Sequence, residues 1–493
     1  MYGNETGMDG DVTDDEVTSP GRAGTDGAAR TDGGTHARTA TTAGTSDGFG
    51  EPVLKVRDLR TRFFTEEGQV NAVEGVSFDV REGEVFGIVG ESGSGKSVTA
   101  LSLIDLVDSP GRVTGGEVWY RDAELAGETA DSRPGAVDGD YVDLRQVSEG
   151  VRRSLRGPAF SMIFQDPMTS MNPSLTVGEQ IAEAVEVQRR ARANPRRTRS
   201  RTQGYGLGQF FVDSLLPTRE YTSEGSEARA IELLEQVGIP DPAERADQYP
   251  HQFSGGMLQR AMIAQALAGE PDVLVADEPT TALDVTIQAQ ILNLLRDLQE
   301  EQDTSVVMIT HDLGVIARMC NRVGVMYAGE IVERGTLADV FEEPVHPYTQ
   351  GLLGSIPDLE DPAPRLQPIE GNVPSLIDSE MGDRCYFADR CPKAMDDCLT
   401  RIPEYEVTGA DRPAGVPHQV RCVLAEREYD PARALSADYF GPDSAREPAA
   451  ADGGGAGEDA RGSGRGRSRG ATPDRGAGAG DGHGDDGEVR TDE

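Results

Sequence analysis

One octapeptide restricts the possible folds more than any other part of the chain. It is Gly90-Glu91-Ser92-Gly93-Ser94-Gly95-Lys96-Ser97, directly after the apolar run Val85-Phe86-Gly87-Ile88-Val89. The octapeptide satisfies G-x-x-x-x-G-K-[ST] at every position. Such a loop works between a buried strand and a helix. Its glycines let backbone N–H groups curl around phosphates, and the helix N-terminus adds partial positive charge. The apolar run reads as the strand and residues 97–106 as the helix. Gly90, Glu91, Ser92, Gly93, Ser94 and Gly95 are then expected to line a nucleotide's phosphates. Lys96 is expected to reach the β- and γ-phosphates, and Ser97 to ligate Mg²⁺.

The flanking pattern predicts an α/β domain. Residues 53–56, 76–80 and 159–164 read as strands, and residues 181–188 and 228–237 as helices. Residues 273–276 and 306–309 are short, apolar and β-branched, and they read as central strands separated by a helix over 287–298. Strands alternating with helices imply a mainly parallel sheet. The run Val273-Leu274-Val275-Ala276 ends on Asp277-Glu278. Asp277 is placed to hold Mg²⁺ and Glu278 to polarise an attacking water as general base. An apolar strand ending in Asp-Glu is common on its own. Joined to the phosphate loop, it describes a nucleoside-triphosphate-hydrolysing site.

Composition sets the limits of the folded part. Residues 1–50 and 441–493 carry few large apolar side chains and are expected to be disordered tails, the first acidic. Residues 123–140 (polar and Gly-rich) and 189–201 (seven arginines and a proline) read as insertions. The basic one is most simply a solvated loop, with contact to anionic lipid headgroups as the sharper alternative. The net charge of −39 argues against nucleic acid as a partner, because phosphates would be repelled. It fits a protein kept soluble in high salt, where screening removes self-repulsion. No window approaches 18 uninterrupted apolar residues and no apolar run resembles a signal peptide, so no membrane span and no disulfide framework are expected.

Further residues narrow the class. Phe253-Ser254-Gly255-Gly256-Met257-Leu258-Gln259-Arg260 precedes Val273 by a short helix. Here the chain resembles the ABC (ATP-binding cassette) ATPases, whose signature is usually written L-S-G-G-Q; Phe253 and Met257 depart from it. By resemblance, Ser254, Gly255, Gly256 and Met257 close on the γ-phosphate held by the other subunit of a head-to-tail pair. Gln165 in Phe164-Gln165-Asp166-Pro167 resembles the Q-loop glutamine, which senses Mg²⁺ and the membrane partner. Thr281-Ala282-Leu283-Asp284 resembles the D-loop, and His311 in Ile309-Thr310-His311-Asp312 the switch histidine. Phe64, rather than Phe63, is chosen as the aromatic that stacks on adenine. The family fold implies a mainly parallel core sheet with an antiparallel β subdomain and a helical subdomain over 51–345.

A C-terminal extension over 346–440 is the most specific part of the resemblance. His346-Pro347-Tyr348-Thr349, Gly371-Asn372-Val373-Pro374-Ser375-Leu376 and Arg384-Cys385-Tyr386-Phe387-Ala388-Asp389-Arg390-Cys391-Pro392 are similar to the ATP-binding subunits of dipeptide and oligopeptide importers. That resemblance implies a second ATPase subunit (a heterodimer), two transmembrane permeases and an extracellular peptide-binding protein. It implies a place at the cytoplasmic face of the membrane. Nickel or sugar import through the same ATPase role stays open, and a soluble ABC ATPase acting on nucleic acid is a distant alternative. Cys385, Cys391, Cys398 and Cys422 are spaced C-x5-C-x6-C-x23-C. Four thiolates can hold a [4Fe–4S] cluster or zinc, or remain structural thiols. Some family members carry the cluster on such cysteines. Cys320 reads as a core residue in an apolar helix.

Overall fold

The computed structural model describes residues 50–193, 222–281, 283–355, 369, 371–374, 376–377, 381–408 and 416–435. Both tails and residues 194–201 of the basic insertion lie outside them, as do Ala282 and Ser375.

Two sheets share one core. The first is antiparallel, in the order β2-β1-β4-β6-β5. It is built on β1 (Pro52–Thr65), β2 (Gly68–Arg81) and β4 (Gly111–Arg121), with β5 (Val137–Asp138) and β6 (Tyr141–Asp143) at one edge. The second has eight strands in the order β12-β13-β11-β10-β3-β9-β8-β7. Its parallel part is β10 (Arg322–Tyr327), β3 (Val85–Val89), β9 (Ser305–Thr310), β8 (Val273–Asp277) and β7 (Phe160–Ile163). These strands are almost wholly buried and mostly apolar because both faces are covered. The antiparallel continuation is β11 (Glu330–Thr336), β13 (Gln419–Val420) and β12 (Tyr405–Glu406). The C-terminal extension therefore completes the edge of the main sheet.

Phe78 of β2 and Phe86 of β3 stack at 4.9 Å between centroids, joining the two sheets. Around them Leu54, Val56, Ile88, Val275 and Ile309 form one buried cluster, with the helix Lys96–Leu103 packed against it. The other face of the main sheet carries the helices Val177–Ala193, Glu224–Gln236, Gly255–Leu267 and Val285–Gln302. Phe387, Ala394 and Met395 of the extension belong to that same second cluster.

The strands at 53–56 and 76–80 are the cores of much longer β1 and β2, which bend through several register shifts. Residues 123–140 are more ordered than an inserted polar stretch. They form the helix Ala123–Ala130, capped by Asp122, and strand β5, around a small cluster of Ala126, Val142 and Val147. The helix expected over 97–106 stops at Leu103. Cys320 is buried, but one residue past the helix Leu313–Met319. Among the described residues no helix is long and apolar enough to cross a membrane.

Candidate functional site

The parallel strands deliver the predicted residues to their C-terminal ends, the usual place for a ligand in an open α/β sheet. β3 runs into the phosphate loop, β8 ends at Asp277, β9 leads to His311, and β7 leads to Gln165. In register, Val89 pairs with Thr310 and Asp277 with Ile309, so the three loops emerge side by side.

The phosphate loop has two positions where only glycine fits. A Cβ on Gly90 would lie 2.1 Å from the Met326 carbonyl oxygen, and one on Gly95 2.2 Å from that of Ala72. Gly95 also has φ 101°, in the left-handed region, and caps the following helix. Lys96 is buried and donates from Nζ to the carbonyl oxygens of Gly90 and Glu91, each at 2.9 Å. Burial lowers its pKa, with Glu278, Asp277 and Glu91 opposing that shift.

Ser97 donates from Oγ to Asp277 Oδ1 at 3.0 Å. Burial raises the Asp277 pKa, with the Ser97 hydrogen bond opposing. The two oxygens form the kind of hard-donor pair that Mg²⁺ takes, and they fit the ion expected there.

Glu278 is the centre of the cluster. Its Oε2 accepts from Gln165 Nε2 at 3.0 Å and from Thr281 Oγ1 at 2.8 Å. Its Oε1 lies 3.1 Å from His311 Nδ1. Burial raises its pKa, but the hydrogen bonds from His311 and Thr281 and the charges of His311 and Lys96 outweigh that. The net shift is downward, which keeps the carboxylate ionised. Glu278 also has φ 47°, an uncommon backbone state for a residue with a side chain. Thr281 is a member of this site that the sequence signals only as the start of the D-loop-like run.

Gln165, His311, Ser254, Gly255 and Asp284 are exposed. Ser254 caps the helix Gly255–Leu267 through Met257 N–H, and Asp284 caps the helix Val285–Gln302 through Thr286 and Ile287. A Cβ on Gly256 would lie 2.7 Å from Ile287, so the signature packs on the D-loop helix. Among the described residues no hydrogen bond joins the signature to the phosphate loop of the same chain. Phe64 is 42% exposed, with the Arg112 guanidinium 4.8 Å over its ring.

Cys391, Cys398 and Cys422 are buried, Cys385 is partly so, and all five cysteines lack disulfides. Cys385 and Cys398 are joined through backbone, N–H to carbonyl, at 3.0 Å. Burial pushes the Cys385 thiol well above its ordinary value, with the nearby Cys398 and Cys391 raising it further, and pushes the Cys422 thiol up to about 12. Among the described residues no group of three or more His, Cys, Asp or Glu side chains is arranged to hold a metal. The expected [4Fe–4S] cluster, and zinc with it, thus finds no support among the described residues.

Two family models match the chain: "ABC transporter" over residues 73–281 and "Oligopeptide/dipeptide transporter, C-terminal region" over residues 332–398. The chain is 43% identical over 389 residues to the dipeptide transport ATP-binding protein DppD of Bacillus subtilis, covering 79% of this chain and 99% of that relative. It is 44% identical to the DppD protein of Escherichia coli K12 over 71% of this chain and 92% of the relative. It is 41% identical to the oligopeptide transport ATP-binding protein AppD of Bacillus subtilis over 76% of this chain and 98% of the relative.

Proposed function

The chain belongs to the family of ABC transporter ATP-binding proteins, and from that premise we propose that it hydrolyses ATP to power import of dipeptides or oligopeptides. The observation that carries this reading is the Glu278 carboxylate, gripped by Gln165, Thr281 and His311 beside the phosphate loop. An ionised carboxylate so held can take a proton from water. The oxygen of that water then bonds to the γ-phosphorus as the bond to the β–γ bridging oxygen breaks and ADP leaves. Lys96 and the loop N–H groups hold the phosphates, and His311 orients Glu278 and meets the γ-phosphate. Ser97, Asp277 and Gln165 would hold Mg²⁺, which would neutralise phosphate charge. Phe64, exposed on β1, is the adenine platform in this reading.

Exposure of the signature and D-loop supports a head-to-tail pair with a second ATPase subunit. Val285, an apolar side chain 82% exposed directly after Asp284, supports it further. Phe164 and Met168 flank Gln165 and also stay in solvent, which supports docking of two transmembrane permeases there, at the cytoplasmic face of a membrane. An extracellular peptide-binding protein would deliver the cargo. Nickel or sugars are the second reading of that cargo. An iron–sulfur cluster forms no part of this proposal, and brown, iron-bearing protein from anaerobic cells would add one.

The test is uptake of labelled peptides, nickel and sugars by cells carrying Glu278→Gln. Loss of peptide uptake alone supports the proposal. Loss of nickel or sugar uptake with intact peptide uptake keeps the ATPase and overturns the cargo.

A further inference from the structure

The C-terminal extension reaches the phosphate loop at Glu91. Tyr348, on the helix Pro347–Gly354, accepts a hydrogen bond from the Glu91 N–H through its hydroxyl at 2.9 Å. Arg390, between Cys385 and Cys391, donates from Nη1 to Glu91 Oε2 at 3.1 Å. Its side chain is only 5% exposed. Arg390 also donates to the Tyr327 hydroxyl at 3.4 Å and to the Ile369 carbonyl at 3.2 Å. Tyr327, Tyr348 and Phe387 pack with ring centroids 4.6 to 5.4 Å apart, and the guanidinium lies 5.6 Å from the Tyr327 ring centroid. The Glu91 carbonyl, in turn, accepts from Lys96 Nζ.

Glu91 is thus held on three sides. Tyr348 fixes its N–H, Arg390 its carboxylate, and Lys96 its carbonyl. The arrangement answers an electrostatic problem. A carboxylate in a loop that binds a polyanion repels the ligand unless a cation offsets it. The other carboxylate oxygen, Oε1, is buried and makes no hydrogen bond among the described residues, so the pairing on Oε2 carries the compensation.

We propose that Arg390 and Tyr348 are positioning residues for nucleotide binding. Through them the extension neutralises Glu91, fixes the entry to the phosphate loop and thereby seats Lys96. This makes the extension a working part of the ATP site rather than an appendage. The inference rests on the ATPase reading above.

The experiment measures equilibrium binding of a non-hydrolysable ATP analogue with Mg²⁺ to the full chain, together with melting of the nucleotide-free protein. Arg390→Ala leaves Glu91 uncompensated and is expected to weaken binding about tenfold, the effect of one unscreened charge near the phosphates at an intermediate dielectric. Arg390→Lys keeps the charge and is expected to recover much of the loss. Arg390→Ala combined with Glu91→Gln removes the repulsion and is expected to bind better than Arg390→Ala alone, a rescue that a merely structural role would not give. Folded Arg390→Ala with wild-type affinity overturns the proposal, as does a double variant no better than the single. Should Arg390→Ala fail to melt cooperatively, Tyr348→Phe decides. Weakened binding with unchanged melting carries the proposal, and wild-type binding sinks it. If the wild-type chain binds no analogue, or Lys96→Ala binds it as well as wild type, the ATPase reading itself has failed.

Discussion

Lys96 sits in a balance that only a polyanion resolves. Burial disfavours its charge, while Glu278, Asp277 and Glu91 favour it, and its amine is satisfied by the carbonyls of Gly90 and Glu91. Replacing those contacts with phosphate oxygens trades neutral acceptors for charged ones, which make stronger hydrogen bonds. Lys96→Ala is therefore expected to weaken ATP binding roughly 10- to 100-fold, the size of one charged hydrogen bond; equilibrium titration checks it. Unchanged affinity would remove Lys96 from the site. Lys96, Ser97, Asp277, Glu278 and His311 were legible in the sequence because loop geometry ties each to a fixed spacing after a strand. Thr281 and Arg390 were not. Thr281 sits three residues after Glu278 in the same turn but carries no signal of its own, whereas the role of Arg390 depends on distant segments that no local spacing joins.

Glu333 on β11 stitches the extension to the cassette. Its carboxylate accepts from Val345 N–H at 2.7 Å and His346 N–H at 3.0 Å, and lies 2.9 Å from His418 Nε2. His346 caps the helix Pro347–Gly354 by accepting from Tyr348 N–H through Nδ1, which requires that nitrogen unprotonated. Burial lowers its pKa from 6.5 to about 4, against the pull of Glu333. Between those values the unfolded chain binds more protons than the folded one, so stability falls as pH drops from 6.5 toward 4 and levels off below. The loss attributable to His346 is up to about 3 kcal/mol. Melting curves of wild type and His346→Asn across that range check it, because asparagine keeps the cap without the titration. A constant difference between the two curves would contradict the assignment. β3, β7, β8 and β9 were readable because both faces are buried and the runs are largely apolar. β10 and β11 were not readable because Gly324, Glu330, Glu333 and Arg334 break the apolar pattern; Glu330 pairs with Arg401, Glu333 with His418 and Arg334 with Glu404. Residues 123–140 misled for a related reason. Their small cluster rests on Ala126, Val142 and Val147, too few apolar side chains to register above a polar background.

The whole chain carries a net charge of −39, and self-repulsion opposes compaction at low ionic strength. Raising KCl from ~0.1 M to ~1 M shortens the screening length from about 10 Å to about 3 Å, so the melting temperature is expected to rise by a few degrees. A melting temperature that falls with KCl would contradict the reading of the acidic balance as a salt adaptation. The architecture itself follows from one requirement. Catalytic groups on separate loops must meet where the parallel strands end, and the antiparallel sheet and the extension brace that edge from either side. This edge hydrolyses ATP through Glu278, and comparing ATP occupancy and ATP turnover in wild type and Glu278→Gln tests that role. Glu278→Gln is expected to retain ATP occupancy with turnover lowered roughly 100- to 10,000-fold, the range of a general-base contribution. Turnover at the wild-type rate in an ATP-loaded Glu278→Gln protein would contradict it.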